Sequence, residues 1–166
     1  MKQAKKIITR MLLNNWGGIS HRMMEFHEYV NLFSGKSGSG KSTVMDAIQV
    51  VLYGSMSASF LNKAADDAKN RRSVMSYLRG EQKDGTANSG GQDFGSTLVL
   101  EIKDTGSGIT TCFGVLFEIG RADTDINGKY TFFSHSGSMP EDEYLEEGGI
   151  PYSRGRMKKL CEARKS

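Results

Sequence analysis

Gly35-Lys36-Ser37-Gly38-Ser39-Gly40-Lys41-Ser42 has the residue types and spacing needed to hold a chain of phosphates. It fits G-x-x-x-x-G-K-[ST] in full, the pattern of a phosphate-binding loop. A triphosphate needs many hydrogen-bond donors aimed inward. Backbone N–H groups of a wrapped loop supply them, and glycine permits the wrapping and the close approach. A helix that starts where the loop ends adds its first N–H groups and the positive end of its dipole. Lys41 is the candidate catalytic cation, reaching the β- and γ-phosphates. The Ser42 hydroxyl is the candidate Mg2+ ligand, and Thr43 is placed for the α-phosphate. The expected ligands are ATP and Mg2+. The motif alone does not separate ATP from GTP, or hydrolysis from phosphoryl transfer.

Two elements must position this loop. Met23 to Phe33, with Met24, Phe26, Val30 and Leu32 apolar, predicts a strand before it. Lys41 to Tyr53 predicts a helix after it: Val44, Ala47, Ile48, Val51 and Leu52 fall on one helical face, and Gly54 can cap the end. Upstream, Ile7 to Asn14 reads as a strand and Asn15 to Gly18 as a turn. Downstream, short helices are expected at Lys63 to Lys69 and Ser73 to Leu78, then a polar loop from Gly80 to Ser96. Thr97 to Ile102 and Ile109 to Ile119 predict a hairpin around Gly106-Ser107-Gly108. Asn127-Gly128 predicts a second turn, into Tyr130 to Phe133. An acidic loop follows from Ser134 to Gly149, and a basic segment from Arg154.

Composition narrows the classes. The 166 residues suit one domain, residues 1–166, and a net charge of +3 does not mark a nucleic-acid-coating protein. Glycine, 20 residues, is the outlier, at about 12% against roughly 7% on average. No apolar run approaches the ~20 residues of a membrane span, and the basic N-terminus lacks the apolar core of a signal peptide. Cys112 and Cys161 are too far apart for a CxxC pair, which argues against a disulfide framework or zinc site. His21, His27 and His135 show no metal-ligand spacing and read as surface or loop histidines. A cytoplasmic protein is expected.

Two strands before the loop and hairpins after its helix point to an ABC-type head, because P-loop kinases and small GTPases place the loop after the first strand of a parallel sheet. Ile8 to Ile19 resembles the opening strand and turn of SMC-like ATPases. Val30 to Gln49 resembles their "N-x-x-x-G-x-x-G-x-G-K-S-x-x-x-D-A-I" segment, with Asp46-Ala47-Ile48 the telling part. Arg72 to Gly80 and Phe113 to Glu118 are similar to the MukB-like branch, which includes the JetC subunit of Wadjet plasmid-defence systems. The resemblance covers about residues 7 to 133.

It implies an α/β P-loop NTPase fold: the N-terminal lobe of an ABC-type head, with an antiparallel β-subdomain and a P-loop helix. It implies ATP binding by Gly35 to Thr43. It also implies partners: a C-terminal head lobe carrying the signature motif and Walker B acids, a second SMC-like head, kleisin and accessory subunits, and DNA. The expected function is DNA organisation, loop extrusion or plasmid defence. The chain has no LSGG-type signature, no heptad run and no visible glutamine loop, Gln82 and Gln92 lying too early. It is therefore expected to be part of a longer coiled-coil ATPase, binding ATP with little turnover alone.

Leu98 to Glu101 and Val115 to Glu118 mimic a Walker B strand, but strand alternation predicts Glu101 and Glu118 to face solvent. Two alternatives stay open. One is a self-contained P-loop kinase or NTPase using Glu101 or Asp104 on Mg2+. The other is a non-catalytic, nucleotide-gated interaction module. Lys2, Lys5, Lys6, Arg10 and Arg22, and the cluster from Arg154 to Lys165, are candidates for DNA contact. Arg71, Arg72 and Arg79 are candidates for γ-phosphate, DNA or surface roles. Trp16 is expected to pack a turn.

Overall fold

The computed structural model describes residues 3–27, 41–54, 56, 73–80 and 92–165, without the side chains of residues 41 and 42. The strands are β1 (Lys6–Trp16), β2 (Ile19–Glu25), β3 (Phe94–Asp104), β4 (Thr110–Ile119), β5 (Tyr130–Ser136), β6 (Leu145–Glu146) and β7 (Ile150–Pro151). The helices are α1 (Lys41–Tyr53), α2 (Val74–Arg79) and α3 (Arg154–Ala163). The first five strands form one sheet in the order β2-β1-β3-β4-β5, and every pairing in it is antiparallel. Among the described residues no helix is long and apolar enough to cross a membrane.

Strand alternation sorts the apolar residues onto two faces. Met11, Leu13, Leu98, Leu100, Val115 and Phe117 face α1 and α2, meeting Val44, Ala47, Val50, Val74, Tyr77 and Leu78. Leu12, Val99, Cys112 and Leu116 face the other way, onto Tyr144, Tyr152, Met157 and Leu160. β1 is therefore covered on both sides, and Met11, Leu12 and Leu13 are all fully buried. A strand of this kind carries a continuous apolar run instead of an alternation.

Several boundaries differ from expectation. β2 runs over Ile19–Glu25, not Met23 to Phe33, and residues 28–33 lie outside the described set. Gly17 and Gly18 turn at φ +60 and +83, so pairing starts at once with Trp16 opposite Ile19. β2 is an edge strand, and its exposed Ser20, His21 and Arg22 need no apolar alternation. β3 and β5 are longer than predicted, and the acidic loop folds back as the β6–β7 hairpin.

Helix α1 has the predicted limits, and Gly54 closes it at φ +62. Its buried stripe is Thr43, Val44, Asp46, Ala47 and Val50, whereas Leu52 is 52% exposed. On this stripe the Asp46 carboxylate accepts from the Tyr77 hydroxyl inside the protein. The helix predicted at Lys63 to Lys69 lies outside the described residues; α2 confirms the one at Ser73 to Leu78.

Candidate functional site

The phosphate-loop candidates Gly35, Lys36, Ser37, Gly38, Ser39 and Gly40 lie outside the described residues, as do Arg71 and Arg72. Lys41, Ser42 and Thr43 form the opening of α1. The first N–H groups of a helix have no acceptor within it. An anion placed before Lys41 would meet those groups and the positive helix end.

The first turn of α1 is held from the side by two elements. The β1–β2 turn brings Trp16, whose indole Nε1 donates to the Thr43 carbonyl at 3.0 Å. Gly17 follows at φ +60, and a Cβ there would lie 2.3 Å from Thr43 Cγ2. Only glycine tolerates both the angle and the approach. Helix α2 brings Tyr77. Its ring stacks on Trp16 at 4.7 Å between centroids and 13° between planes. Its hydroxyl donates to Asp46 Oδ2, and its carbonyl accepts from Gly17 N at 2.7 Å. Trp16 and Tyr77 are buried and Asp46 is 3% exposed. Trp16 thus packs the turn, as expected, with its ring fully covered. The Asp46-Ala47-Ile48 triplet, read only as a likeness, supplies a buried carboxylate that ties α1 to α2.

α2 owes its position to its caps. Ser73 accepts from Ser76 N at the start, and Gly80 ends the helix at φ +63. Arg79 Nη2 donates to the Gly120 carbonyl at 3.1 Å and the Asp123 carbonyl at 2.6 Å, with the guanidinium 5.8 Å from the Phe94 ring centre. This places Arg79 on the β4–β5 connection, a structural position.

Of the two acids expected to face solvent, one does. Glu118 is exposed, but Glu101 is buried at 6% exposure. Thr9 Oγ1 and Arg10 Nε donate to its Oε1 at 2.9 and 3.0 Å. Arg10 Nη2 and the Met139 amide donate to its Oε2 at 2.6 and 3.1 Å. Alternation placed Glu101 correctly on the face opposite α1, but residues 139–160 cover that face. Both oxygens are engaged, so Glu101 does not present itself as a Mg2+ ligand. Asp104 Oδ1 accepts from Gly106 N and Ser107 N in the β3–β4 turn, at 2.8 and 3.1 Å. Among the described residues no group of three or more His, Cys, Asp or Glu is placed to hold a metal.

Burial alone would raise the Glu101 carboxyl pKa, but Arg10, the Met139 amide and Thr9 together hold it below the usual value. The sign for stability follows. As pH falls through the ordinary carboxyl range, about 4.3, the unfolded chain takes up the proton first. The stabilisation present above that range is lost as pH drops toward the folded-state value. Glu101→Gln is therefore expected to be less stable than the parent near neutrality, with the gap closing in acid; urea unfolding followed across this range checks it.

His135, expected on the surface, is 3% exposed, with Nε2 2.6 Å from the Tyr144 hydroxyl. Burial lowers its pKa, so it sits as a neutral core histidine. Burial also pushes the Cys112 thiol up to about 11, which keeps it protonated and unreactive at neutral pH.

Residues 8–68 match the family model described as the P-loop containing region of AAA domain. The matched stretch takes in β1 from Ile8 onward, β2 and α1, and with them Trp16, Gly17, Thr43 and Asp46; Tyr77 lies beyond it. The chain is also 37% identical over 74 residues to the SbcC component of the nuclease SbcCD from Staphylococcus haemolyticus (strain JCSC1435). The matched stretch covers 42% of this chain and 6% of that protein.

Proposed function

We propose that this chain binds ATP with Mg2+ through Gly35 to Thr43 and serves as the N-terminal lobe of an SMC-like ATPase head. The likeness of residues 8–68 to a P-loop region and the stretch shared with the SbcCD nuclease component support this reading. The observation that carries it is local: α1 begins at Lys41, the motif's lysine, and buried contacts clamp its first turn. Lys41 neutralises the terminal phosphates and Ser42 ligates Mg2+.

In this reading residues 1–166 are one lobe of a cytoplasmic, DNA-organising ATPase, with the MukB-like branch the finer assignment. Hydrolysis needs a C-terminal lobe and a second head, and kleisin and accessory subunits complete the machine. DNA is the substrate that the basic segments would contact. A self-contained kinase is disfavoured by the engaged oxygens of Glu101.

Calorimetric titration with ATP and Mg2+ tests the reading. Removing a charge-assisted contact of about 3 kcal/mol, Lys41→Ala is expected to weaken binding about 100-fold. Equal affinity in parent and variant would refute it. Robust turnover by the 166 residues, lost in Glu101→Gln, would support the kinase instead.

A further inference from the structure

We propose that Tyr77 is a positioning residue for the phosphate site, acting through the buried Asp46 carboxylate on the first turn of α1. The inference rests on the nucleotide reading above. A helix start depends on its surroundings for orientation, because its first amides have no partners within the helix. Here the surroundings form a closed circuit. Trp16 bonds the Thr43 carbonyl, and Thr43 and Asp46 share one helical face. Asp46 accepts from the Tyr77 hydroxyl, and Tyr77 returns to Trp16 by its ring and to Gly17 by its carbonyl.

The circuit meets the nucleotide-binding stretch at Thr43, through that residue's backbone carbonyl, so Tyr77 and Asp46 can set the direction of α1 from behind the site. Tyr77 is the only member contributed by α2. The Tyr77 ring and hydroxyl have separable tasks. The ring fills space beside Trp16, a task phenylalanine also performs. The hydroxyl fixes the angle of α1 by holding a carboxylate one turn beyond Thr43. Small errors in such an angle are costly, because phosphate contacts depend on sub-ångström placement of donors.

The test measures ATP-Mg2+ affinity by calorimetry on the full chain, with thermal unfolding of every variant recorded separately. All titrations are made well below the unfolding transition, where lost stability alone leaves affinity unchanged. Tyr77→Phe and Asp46→Ala are each expected to weaken ATP about tenfold, the loss of one hydrogen bond to a charged group. The double variant is expected to be no weaker than the poorer single variant, because both remove the same contact. Asp46→Asn keeps an acceptor for the phenol and is expected to bind within about threefold of the parent. Unchanged affinity in Tyr77→Phe, with or without a lower melting temperature, overturns the proposal, as do effects that add in the double variant. Should Tyr77→Phe not fold, the contrast between Asp46→Ala and Asp46→Asn decides: equal affinities overturn it. A parent that binds no ATP, or a Lys41→Ala variant that binds as the parent does, overturns the nucleotide reading itself and the inference with it.

Discussion

Gly17→Val is expected to lower the unfolding free energy by about 3–5 kcal/mol, the sum of backbone strain and overpacking. Both costs arise at one atom. The residue sits at φ +60, where a β-branched side chain is a strong outlier. Its Cβ would stand 2.3 Å from Thr43 Cγ2 and 3.3 Å from Tyr77 Cδ1. Thr43 cannot swing away cheaply, because it is buried within a helix and its χ1 is restricted. Tyr77 is held between Trp16 and Asp46. Relief must come from moving the β1–β2 turn away from α1, which breaks the Trp16 bond to Thr43. Equilibrium urea unfolding gives the stability change. Gly108→Val is the matched control, with φ +75 and no atom within 4 Å of its Cβ. It is expected to cost only the strain, about 1–3 kcal/mol.

Arg10→Met is expected to cost about 2–4 kcal/mol, because it leaves the Glu101 carboxylate buried without its main partner. The lower part of that range is the better guide, since the Arg10 side chain is 30% exposed and its charge is partly screened by water, whereas Glu101 is only 7% exposed. Arg10 and Glu101 face each other across β1 and β3. The pair is therefore a cross-strand contact as well as an ion pair. Combining Arg10→Met with Glu101→Leu is expected to recover only part of the loss, since the apolar pair needs no buried partner but leaves the Met139 amide without its acceptor. A double-variant cycle by urea unfolding measures the coupling. Losses that simply add would mean that the two side chains act independently.

Some of this arrangement was legible from residue types. Phosphate chemistry demands glycine, lysine and serine at particular spacings, so the start of α1 at Lys41 was readable without partners. Turn glycines did the same for the β3–β4 and β4–β5 hairpins. What escaped were features set by contacts distant in the chain. Glu101 has the spacing of a solvent-facing strand residue, and its partner Arg10 lies 91 positions away. His135 sits in a polar stretch, yet the Tyr144 hydroxyl and the covering of residues 139–160 bury it. β2 was misplaced because an edge strand tolerates polar residues and the apolar pattern further on drew the boundary. The role of Tyr77 left no pattern in the sequence at all. A lone tyrosine on a short helix finds its carboxylate 31 residues upstream only once the chain has folded.

The corner where Trp16 stacks on Tyr77 also gives the protein an optical property. Trp16 is the single tryptophan of the chain, its ring is fully buried, and its N–H bonds the carbonyl of a residue two positions from Lys41. Indole emission therefore originates at one place, beside the opening of α1. On the proposed nucleotide reading, a shift of that helix when ATP binds would change the surroundings of this one fluorophore. The unlabelled protein thus carries its own reporter, and a stopped-flow trace of its emission on mixing with ATP would follow the proposed event at its source.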